Sequence, residues 1–154
     1  MLFKRTCQLS KSLATNKISF ITQIGTGNYN ESTAKLYTDL CLITADRRIG
    51  EDGLRIFNGI LTNNPAEHTE HLLAAPFTMK PALLRMIDEE IEYAKKGEEA
   101  EITVKINSLT DKDLIDRLIA ASKAGVKIRM VIRGICCLRV GIPEETDNIQ
   151  VISI

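Results

Sequence analysis

The sequence predicts an α/β fold, and three observations carry that prediction. Residues 101–132 read as a strand, a helix and a second strand, because apolar residues alternate, then recur at helical spacing, then return to a strand pattern. Residues 17–24, KISFITQI, alternate in a similar way and enter a glycine-containing turn. Residues 78–97 carry apolar positions at helical spacing, with an early proline and a closing glycine. With 154 residues and 44% hydrophobic residues, the chain can bury a core.

The first part of the chain predicts two strands of one sheet and then a helix. Residues 1–16 are polar and basic with scattered apolar positions, so we expect partial disorder there. The strand over residues 17–24 is followed by a short helical turn near residues 31–35 and by a second strand over residues 36–44. A helix over residues 51–61 is predicted from the spacing of its apolar residues, which are Leu54, Ile56, Phe57, Ile60 and Leu61.

A polar, proline-containing segment, TNNPAEHTEH, separates two predicted structural units. We assign residues 1–62 to a first unit, residues 63–71 to a linker and residues 72–154 to a second unit. The second unit should contain a strand at 72–76, a helix capped by Thr78 and ended by Gly97, a strand at 101–106, a helix opened by Thr110 and Asp113 and ended by Gly125, and strands at 126–132 and 148–154. The strand, helix and strand over 101–132 should form a right-handed parallel crossover.

Charge and segment length narrow the class of protein. Twenty basic residues balance twenty acidic ones, so no overall field attracts nucleic acid or a membrane surface. No stretch of 18 apolar residues occurs, and basic residues interrupt the N-terminal segment. We therefore expect a soluble, cytoplasmic protein without a signal peptide or transmembrane segment.

The spacing of the cysteines and histidines does not indicate a disulfide framework or a metal site. Cys7, Cys41, Cys136 and Cys137 include no C-x-x-C pair, which favours reduced thiols over a disulfide framework or a zinc site. The adjacent Cys136 and Cys137 are either a redox-active pair or buried apolar residues, and burial is the favoured interpretation. His68 and His71 lack a third ligand nearby, so we interpret them as loop residues and predict no metal site.

Residues 24–39, IGTGNYNESTAKLYTD, are the first candidate for a functional site. Gly25 and Gly27 permit backbone angles that other residues avoid, so the chain can turn tightly and point N–H groups at an anion. Thr26 and Asn28 add short polar side chains, and Lys35 and Tyr37 lie near the end of the segment. The alternative is a hairpin loop made of good turn residues; a Rossmann signature is excluded because its third glycine is missing.

A second candidate lies at the carboxyl ends of the two predicted parallel strands. Asn107 and Ser108 follow the first strand, and Arg133 and Gly134 follow the second, so the two pairs should meet at one edge of the sheet. Arg133 is flanked by apolar residues and could grip a phosphate with two parallel hydrogen bonds. The alternative is a structural arginine paired with a carboxylate. No nucleophile with an adjacent base accompanies either cluster.

Two long segments, IGTGNYNESTAKLYTDLCLITAD and KINSLTDKDLIDRLIAASKAGVKIRMVIRGICCL, together with the final NIQVISI, resemble the bacterial polyphosphate kinase family that forms long chains. The resemblance implies reversible, magnesium-dependent transfer of the terminal phosphate of ATP to polyphosphate through a phosphohistidine. It implies parts of two consecutive phospholipase D-like domains, each a mixed sheet with flanking helices. It also implies that Tyr37 and Arg133 contact ATP, and that Thr26 and Asn28 line the phosphate pocket.

Departures from the family pattern limit what the chain should do alone. The family places its phosphorylated histidine in an H-x-K motif shortly before the glycine turn, yet residues 1–23 contain no histidine. A second histidine motif follows V-I-S-I in the family, and the magnesium-binding arginines lie upstream. The resemblance therefore implies no catalytic residue and no magnesium ligand within these residues, and a chain that is inactive alone. It also implies ATP, ADP and polyphosphate, and not nucleic acid, as partners of a homo-oligomeric parent enzyme.

Two other functions remain open from the sequence. The first is a non-catalytic remnant that binds polyphosphate or nucleotide without turnover, because the candidate anion sites do not require a nucleophile. The second is a phospholipase D-type hydrolase, which the absent H-x-K motif disfavours.

Overall fold

The structure, a computed structural model, describes residues 4–11, 18–64 and 68–153 and divides the chain into two compact units, Met1–Thr78 and Met79–Ile154. Within the described residues each unit contains one three-stranded sheet, antiparallel in the first unit and parallel in the second. The predicted α/β class is confirmed. None of the described helices has the length and hydropathy that crossing a membrane requires.

The first sheet has the order β1-β2-β3, formed by β1 (Lys4–Lys11), β2 (Ile18–Gly25) and β3 (Cys41–Thr44). The expectation of disorder is wrong for residues 4–11, because this segment pairs antiparallel with β2 along its whole length. The remainder of that expectation, at 1–3 and 12–16, lies outside the described residues. The predicted pairing of the two strands around the glycine turn is confirmed, although β3 begins later than expected.

Helix α1 (Glu31–Ala34) confirms the predicted helical turn of the first unit. Helix α2 (Arg47–Leu61) confirms the second helical prediction but begins at Arg47 and not at residue 51. The buried positions of α2 are not its large apolar residues but Gly50, Asp52, Gly53 and Gly59. A Cβ at Gly50 would lie 2.7 Å from Cδ1 of the buried Phe20 of β2, so the helix approaches the strand through a position without a side chain. Ile60 and Leu61 are 68% and 81% exposed.

The segment after α2 is held by the carboxylate of Asp52, which is only 1% exposed. Its Oδ2 accepts the backbone N–H groups of Glu70, His71 and Leu72 at 2.9, 2.6 and 3.0 Å. The strand predicted at 72–76 is wrong, because these backbone groups bond to a side chain and to a turn instead of to a neighbouring strand. In that turn the hydroxyl of Thr78 accepts from the Ala74 N–H at 2.7 Å and so reaches back rather than capping the next helix.

The second unit closely follows its predicted pattern. Its sheet has the order β4-β5-β6, and its elements are α3 (Met79–Lys95), β4 (Glu101–Ile106), α4 (Lys112–Lys123), β5 (Lys127–Ile132) and β6 (Ile149–Ile152). Gly97 and Gly125 follow the two helices with φ of 76° and 98°, a conformation that glycine adopts at low cost. The cap of α4 is Asp111, whose carboxylate accepts from the Leu114 N–H, and not the predicted Thr110.

The core of the second unit lies on one face of the parallel sheet. Along β5 the buried residues alternate with the exposed Lys127 and Arg129, as the period of a strand requires. The core combines residues of both helices and the sheet: Ile87, Ile91, Leu118, Ala121, Ile128, Met130, Ile132 and Ile149. With the helices packed on this face, the carboxyl ends of β4 and β5 carry the loops that contain Asn107 and Arg133.

Candidate anion-binding loops

The loop between β2 and β3 is closed by Thr26. The Thr26 N–H donates to the Leu40 carbonyl at 3.0 Å, and the Leu40 N–H donates to the Thr26 hydroxyl at 3.0 Å. The same hydroxyl donates to Oδ1 of Asp39 at 3.0 Å. Thr26 therefore holds the two ends of the loop together, and its hydroxyl must leave Asp39 before it can donate to a phosphate.

Glycine is needed in this loop because a neighbouring side chain packs closely against the backbone, and not because the backbone angles are unusual. Neither Gly25 nor Gly27 is among the described residues with positive φ, so that part of the sequence interpretation is wrong. A Cβ at Gly27 would lie 2.5 Å from Cγ of Asp39, which is too close for two atoms that are not bonded to each other. Asp39 was missed in the sequence, because nothing in its spacing shows that it folds back onto Gly27. Its carboxylate places negative charge beside a proposed anion site.

Asn28 and Tyr37 lie on the exposed part of the same loop. The Asn28 carbonyl accepts the Asn30 N–H at 2.8 Å, and the Asn30 side chain caps α1. The Tyr37 N–H donates to the Thr33 carbonyl at 3.2 Å, which fixes the backbone of Tyr37 just beyond the helix. The side chain of Tyr37 is 40% exposed, so its ring is accessible to a ligand.

Lys35, another candidate in this segment, interacts with a neighbouring acid. Its Nζ lies 3.5 Å from Oε1 of Glu31, one helical turn earlier, and both side chains are exposed. An exposed pair of this kind contributes little to stability and does not fix the ammonium group. The ion pair therefore does not hold the Lys35 ammonium group in a defined position beside the loop.

The second candidate cluster is assembled as predicted at the ends of β4 and β5. Arg133 Nε donates to Oδ1 of Asn107 at 2.8 Å, and the Gly134 N–H donates to the Asn107 carbonyl at 2.7 Å. A Cβ at Gly134 would lie 2.9 Å from Oγ of Ser108 and 3.0 Å from the Asn107 carbonyl oxygen. Gly134 is therefore needed for the two loops to approach this closely. The sequence placed Asn107 at this edge but did not reveal its bond to Arg133.

Further backbone bonds extend the pairing of these two loops beyond the strands. The Leu109 N–H donates to the Ile135 carbonyl at 2.8 Å, and the Cys137 N–H donates to the Leu109 carbonyl at 2.9 Å. Leu109 is buried in the core of the unit. The loops on which Asn107 and Arg133 sit are consequently anchored by packing as well as by hydrogen bonds.

A charged group fixes the far end of the loop that begins at Asn107. Lys80 Nζ lies 2.8 Å from Oδ2 of Asp111 and 2.7 Å from Oδ2 of Asp113. Lys80, followed by the Leu114 N–H, lowers the pKa of Asp111, and the two carboxylates in turn raise the pKa of Lys80. The loop is thus tied to α3 at the residue that caps α4 and to β5 at Asn107.

The adjacent cysteines follow this cluster and are both exposed, as is Cys41. The favoured interpretation of Cys136 and Cys137 as buried apolar residues is therefore wrong. The reason is that the segment after Arg133 runs along the surface, where Leu138 is the residue that enters the core.

The resemblance to polyphosphate kinases implies magnesium, with its ligands outside these residues. Across the described ranges 4–11, 18–64 and 68–153, no three His, Cys, Asp or Glu side chains come together as metal ligands would. The backbone N–H of His71 donates to Asp52. The described residues therefore offer magnesium no cluster of three such ligands.

The comparisons with known proteins all point to one family. The family model described as polyphosphate kinase C-terminal domain 1 matches residues 4–66, and the one described as C-terminal domain 2 matches residues 72–154. A polyphosphate kinase from Halalkalibacterium halodurans is 47% identical over 139 residues, which are 90% of this chain and 20% of that protein. One from Yersinia pestis is 47% identical over 146 residues, which are 95% of this chain and 21% of that protein.

A solved structure agrees with the sequence comparisons. The crystal structure of polyphosphate kinase from Porphyromonas gingivalis matches with a TM-score of 0.83 and 38% identity, covering 98% of this chain and 25% of that one. The chain spans about a fifth of the length of the curated relatives it matches. On these matches, the chain belongs to the polyphosphate kinase family.

Proposed function

We propose that this chain is the part of a polyphosphate kinase that contacts ATP while the terminal phosphate of ATP is transferred, reversibly, to polyphosphate. The observation that supports the proposal is the hydrogen bond from the Arg133 guanidinium to Asn107 at the carboxyl edge of a parallel sheet, in a member of this family. Arginine at such an edge suits the planar, doubly hydrogen-bonded recognition of phosphate oxygens.

Phosphoryl transfer places particular demands on a protein. Charge is spread over the equatorial oxygens of the transferred group, so positioning and positive donors supply most of the catalysis. Arg133 would meet this demand. In the same proposal Tyr37 would stack on the base of ATP or donate to an oxygen, and Thr26 and Asn28 would line a phosphate pocket once the Thr26 hydroxyl is released from Asp39.

The nucleophile of the proposed reaction is a histidine that these 154 residues do not supply. The chain contains two histidines, His68 and His71, and neither stands in an H-x-K sequence. A histidine elsewhere in the intact enzyme would take the terminal phosphate from ATP, releasing ADP, and the phosphohistidine so formed would pass that phosphate to the end of the polyphosphate chain, with magnesium held by residues elsewhere. The chain alone is then inactive.

The proposal can be tested with a chimaera. The matching 139 residues of the Halalkalibacterium halodurans polyphosphate kinase are replaced by those of this chain, and both proteins receive magnesium and ATP labelled on the terminal phosphate. We expect acid-labile protein phosphate and polyphosphate from the chimaera, and neither from this chain alone. Arg133→Ala in the chimaera should lower polyphosphate formation by about a hundredfold, whereas Arg85→Ala, on the exposed surface of α3, should not.

Two results would count against the proposal. Label on this chain alone would show that it carries its own nucleophile. A folded chimaera that binds ATP but forms neither product would favour the non-catalytic binding remnant.

A further inference from the structure

We propose that Cys136 and Cys137 form a modification site, at which a low-molecular-weight disulfide oxidises the two thiols to a disulfide between adjacent residues and so opens the pairing of the loops that follow β4 and β5. Both side chains are exposed, so a small reagent reaches either thiol. This modification goes beyond the proposed function and does not depend on it, because it concerns the structure of the two loops and not what they bind.

The backbone around Cys136 is paired with the other loop as in a parallel sheet. Cys136 forms an isolated parallel bridge with Leu109. The Leu109 N–H donates to the Ile135 carbonyl at 2.8 Å, and the Cys137 N–H donates to the Leu109 carbonyl at 2.9 Å. The two hydrogen bonds of the bridge are thus made by the residues immediately before and after Cys136.

This pairing keeps the two sulfur atoms apart. Adjacent side chains of a strand-like backbone point to opposite faces, whereas a disulfide needs Cβ atoms within about 3.5–4.5 Å of each other. The Cys136 thiol also donates to the Leu138 carbonyl at 3.5 Å. A disulfide between Cys136 and Cys137 therefore forms only when the backbone leaves the paired conformation, which breaks the bond from the Cys137 N–H to the Leu109 carbonyl.

The oxidation proceeds by two exchange steps. One protein thiolate attacks a sulfur of the reagent, which forms a mixed disulfide and releases one reagent thiolate. The neighbouring protein thiolate then attacks the protein sulfur of the mixed disulfide, which forms the bond between Cys136 and Cys137 and releases the second reagent thiolate. The two protons of the protein thiols go to the released thiolates, and the two electrons reduce the reagent.

The product should be easily reduced again. Consecutive Cα atoms lie about 3.8 Å apart, which is closer than the about 4.4–6.8 Å usual in disulfides. The bond between Cys136 and Cys137 is therefore strained, and its formation also costs the hydrogen bond to Leu109. Strained, exposed disulfides are the labile and regulatory ones, so the modification should be reversible.

The test treats the complete 154-residue chain with oxidised glutathione and uses two readouts. The first is mass spectrometry of the tryptic peptide 134–139, which contains both cysteines of the pair and no other. The second is hydrogen exchange of the Leu109 and Cys137 amides. The Lys127 amide is the control, because it donates to the Ala100 carbonyl at 3.1 Å at the opposite, amino edge of the same two strands.

The variants are Cys136→Ser, Cys137→Ser and, as matched control, Cys41→Ser, which removes an exposed thiol outside the pair. We expect the peptide 134–139 to lose two hydrogen atoms in the unaltered chain and in Cys41→Ser. The other two variants should stop at the mixed disulfide.

In the oxidised chain the Leu109 and Cys137 amides should exchange about tenfold faster, as loss of one hydrogen bond implies, and the Lys127 amide should not change. Dithiothreitol should restore slow exchange. Cys136→Ser and Cys137→Ser should keep slow exchange in the presence of the oxidant. The reduced and oxidised forms of the unaltered chain can be compared whether or not the variants fold.

Three results would overturn this modification site. One is a mixed disulfide as the final product in the unaltered chain, and another is a disulfide between the two cysteines with unchanged exchange of the Leu109 and Cys137 amides. The third is equally fast exchange in the two serine variants, because opening would then come from the attached glutathione and not from the bond between adjacent residues.

Calorimetric titration of the reduced and oxidised chains with ATP tests the proposed function separately. The Gly134 N–H, which donates to the Asn107 carbonyl at 2.7 Å, makes the neighbouring bond between the same two loops. Opening of the loops should therefore disturb the cluster of Asn107 and Arg133 and weaken ATP binding. Opened loops with equal ATP binding in both states would support the modification site and count against a contact between this cluster and ATP.

Discussion

The carboxylate of Asp52 accepts the backbone N–H of His71 at 2.6 Å, and through this bond α2 holds a residue that lies 19 positions after Asp52 in the chain. Glu70 and Leu72 donate to the same oxygen, and Arg55 Nη1 lies 3.3 Å from the other one. Three N–H donors around one buried oxygen leave it no unused capacity to accept hydrogen bonds. The segment leading to Thr78 is thereby joined to the first unit.

Asp52→Asn should destabilise the first unit by about 2 kcal/mol, because the neutral amide loses the charge that strengthens all of these hydrogen bonds, and its N–H₂ group must face either the three N–H groups or Arg55, which also donate. The change is nearly isosteric, so a loss of packing does not explain the effect. Urea unfolding measures the free energy, and hydrogen exchange of the His71 and Leu72 amides measures the local effect. Asp88→Asn, which breaks an exposed pair with Arg117, is the control and should cost less than about 1 kcal/mol. Equal effects of the two changes would contradict the role of Asp52.

Gly50→Ala should destabilise the chain even though alanine favours helices by about 1 kcal/mol over glycine. The added methyl group would lie 2.7 Å from Cδ1 of Phe20, and overpacking of this kind typically costs about 1–3 kcal/mol. Thermal unfolding of the single variants and of the double variant with Phe20→Leu measures the coupling between the two positions. The double variant should recover part of the loss. Strict additivity would show that the helix and strand do not meet as described.

Asp46, the cap of α2, should make stability depend on pH in the acid range. Arg48 lowers the pKa of Asp46 from 3.8 to about 2, first through its side-chain hydrogen bond and then through its backbone N–H. The pKa of Asp46 is lower in the folded chain than in the unfolded chain. The contribution of the Asp46 carboxylate to folding stability is therefore fully present above about pH 4 and is lost as pH falls towards 2. Melting temperatures between pH 5 and pH 2 should therefore fall less steeply for Asp46→Asn than for the unaltered chain. If the melting temperature depends on pH with the same slope in both proteins, Asp46 is not a cause of the acid destabilisation.

The exposed thiols of Cys136 and Cys137 should react with iodoacetamide in the folded chain, as should Cys41. Peptide mass spectrometry after a short exposure identifies the modified residues, and the same exposure in urea gives the unprotected rate. Modification of Cys136 and Cys137 only in urea would restore the interpretation that they are buried.

Local patterns were sufficient for most elements of the second unit. Alternation placed β4 and β5, helical spacing placed α3 and α4, and the glycines that end those helices were visible as Gly97 and Gly125. These features depend on interactions within a few residues of the chain, which is the range over which periodicity and capping act. The meeting of Asn107 with Arg133 followed from the parallel pairing that this pattern implies.

Contacts between distant residues decided what the patterns left open. Periodicity predicted α2 but not that its glycines, rather than Ile60 and Leu61, would face inward, because that choice depends on how closely Phe20 approaches. Spacing likewise could not show that Asp39 folds onto Gly27. The segment 72–76 looked like a strand because it is apolar, yet its backbone partners are a carboxylate and a turn. Hydrogen-bond partners and close packing across the fold are settled only when the whole chain is assembled.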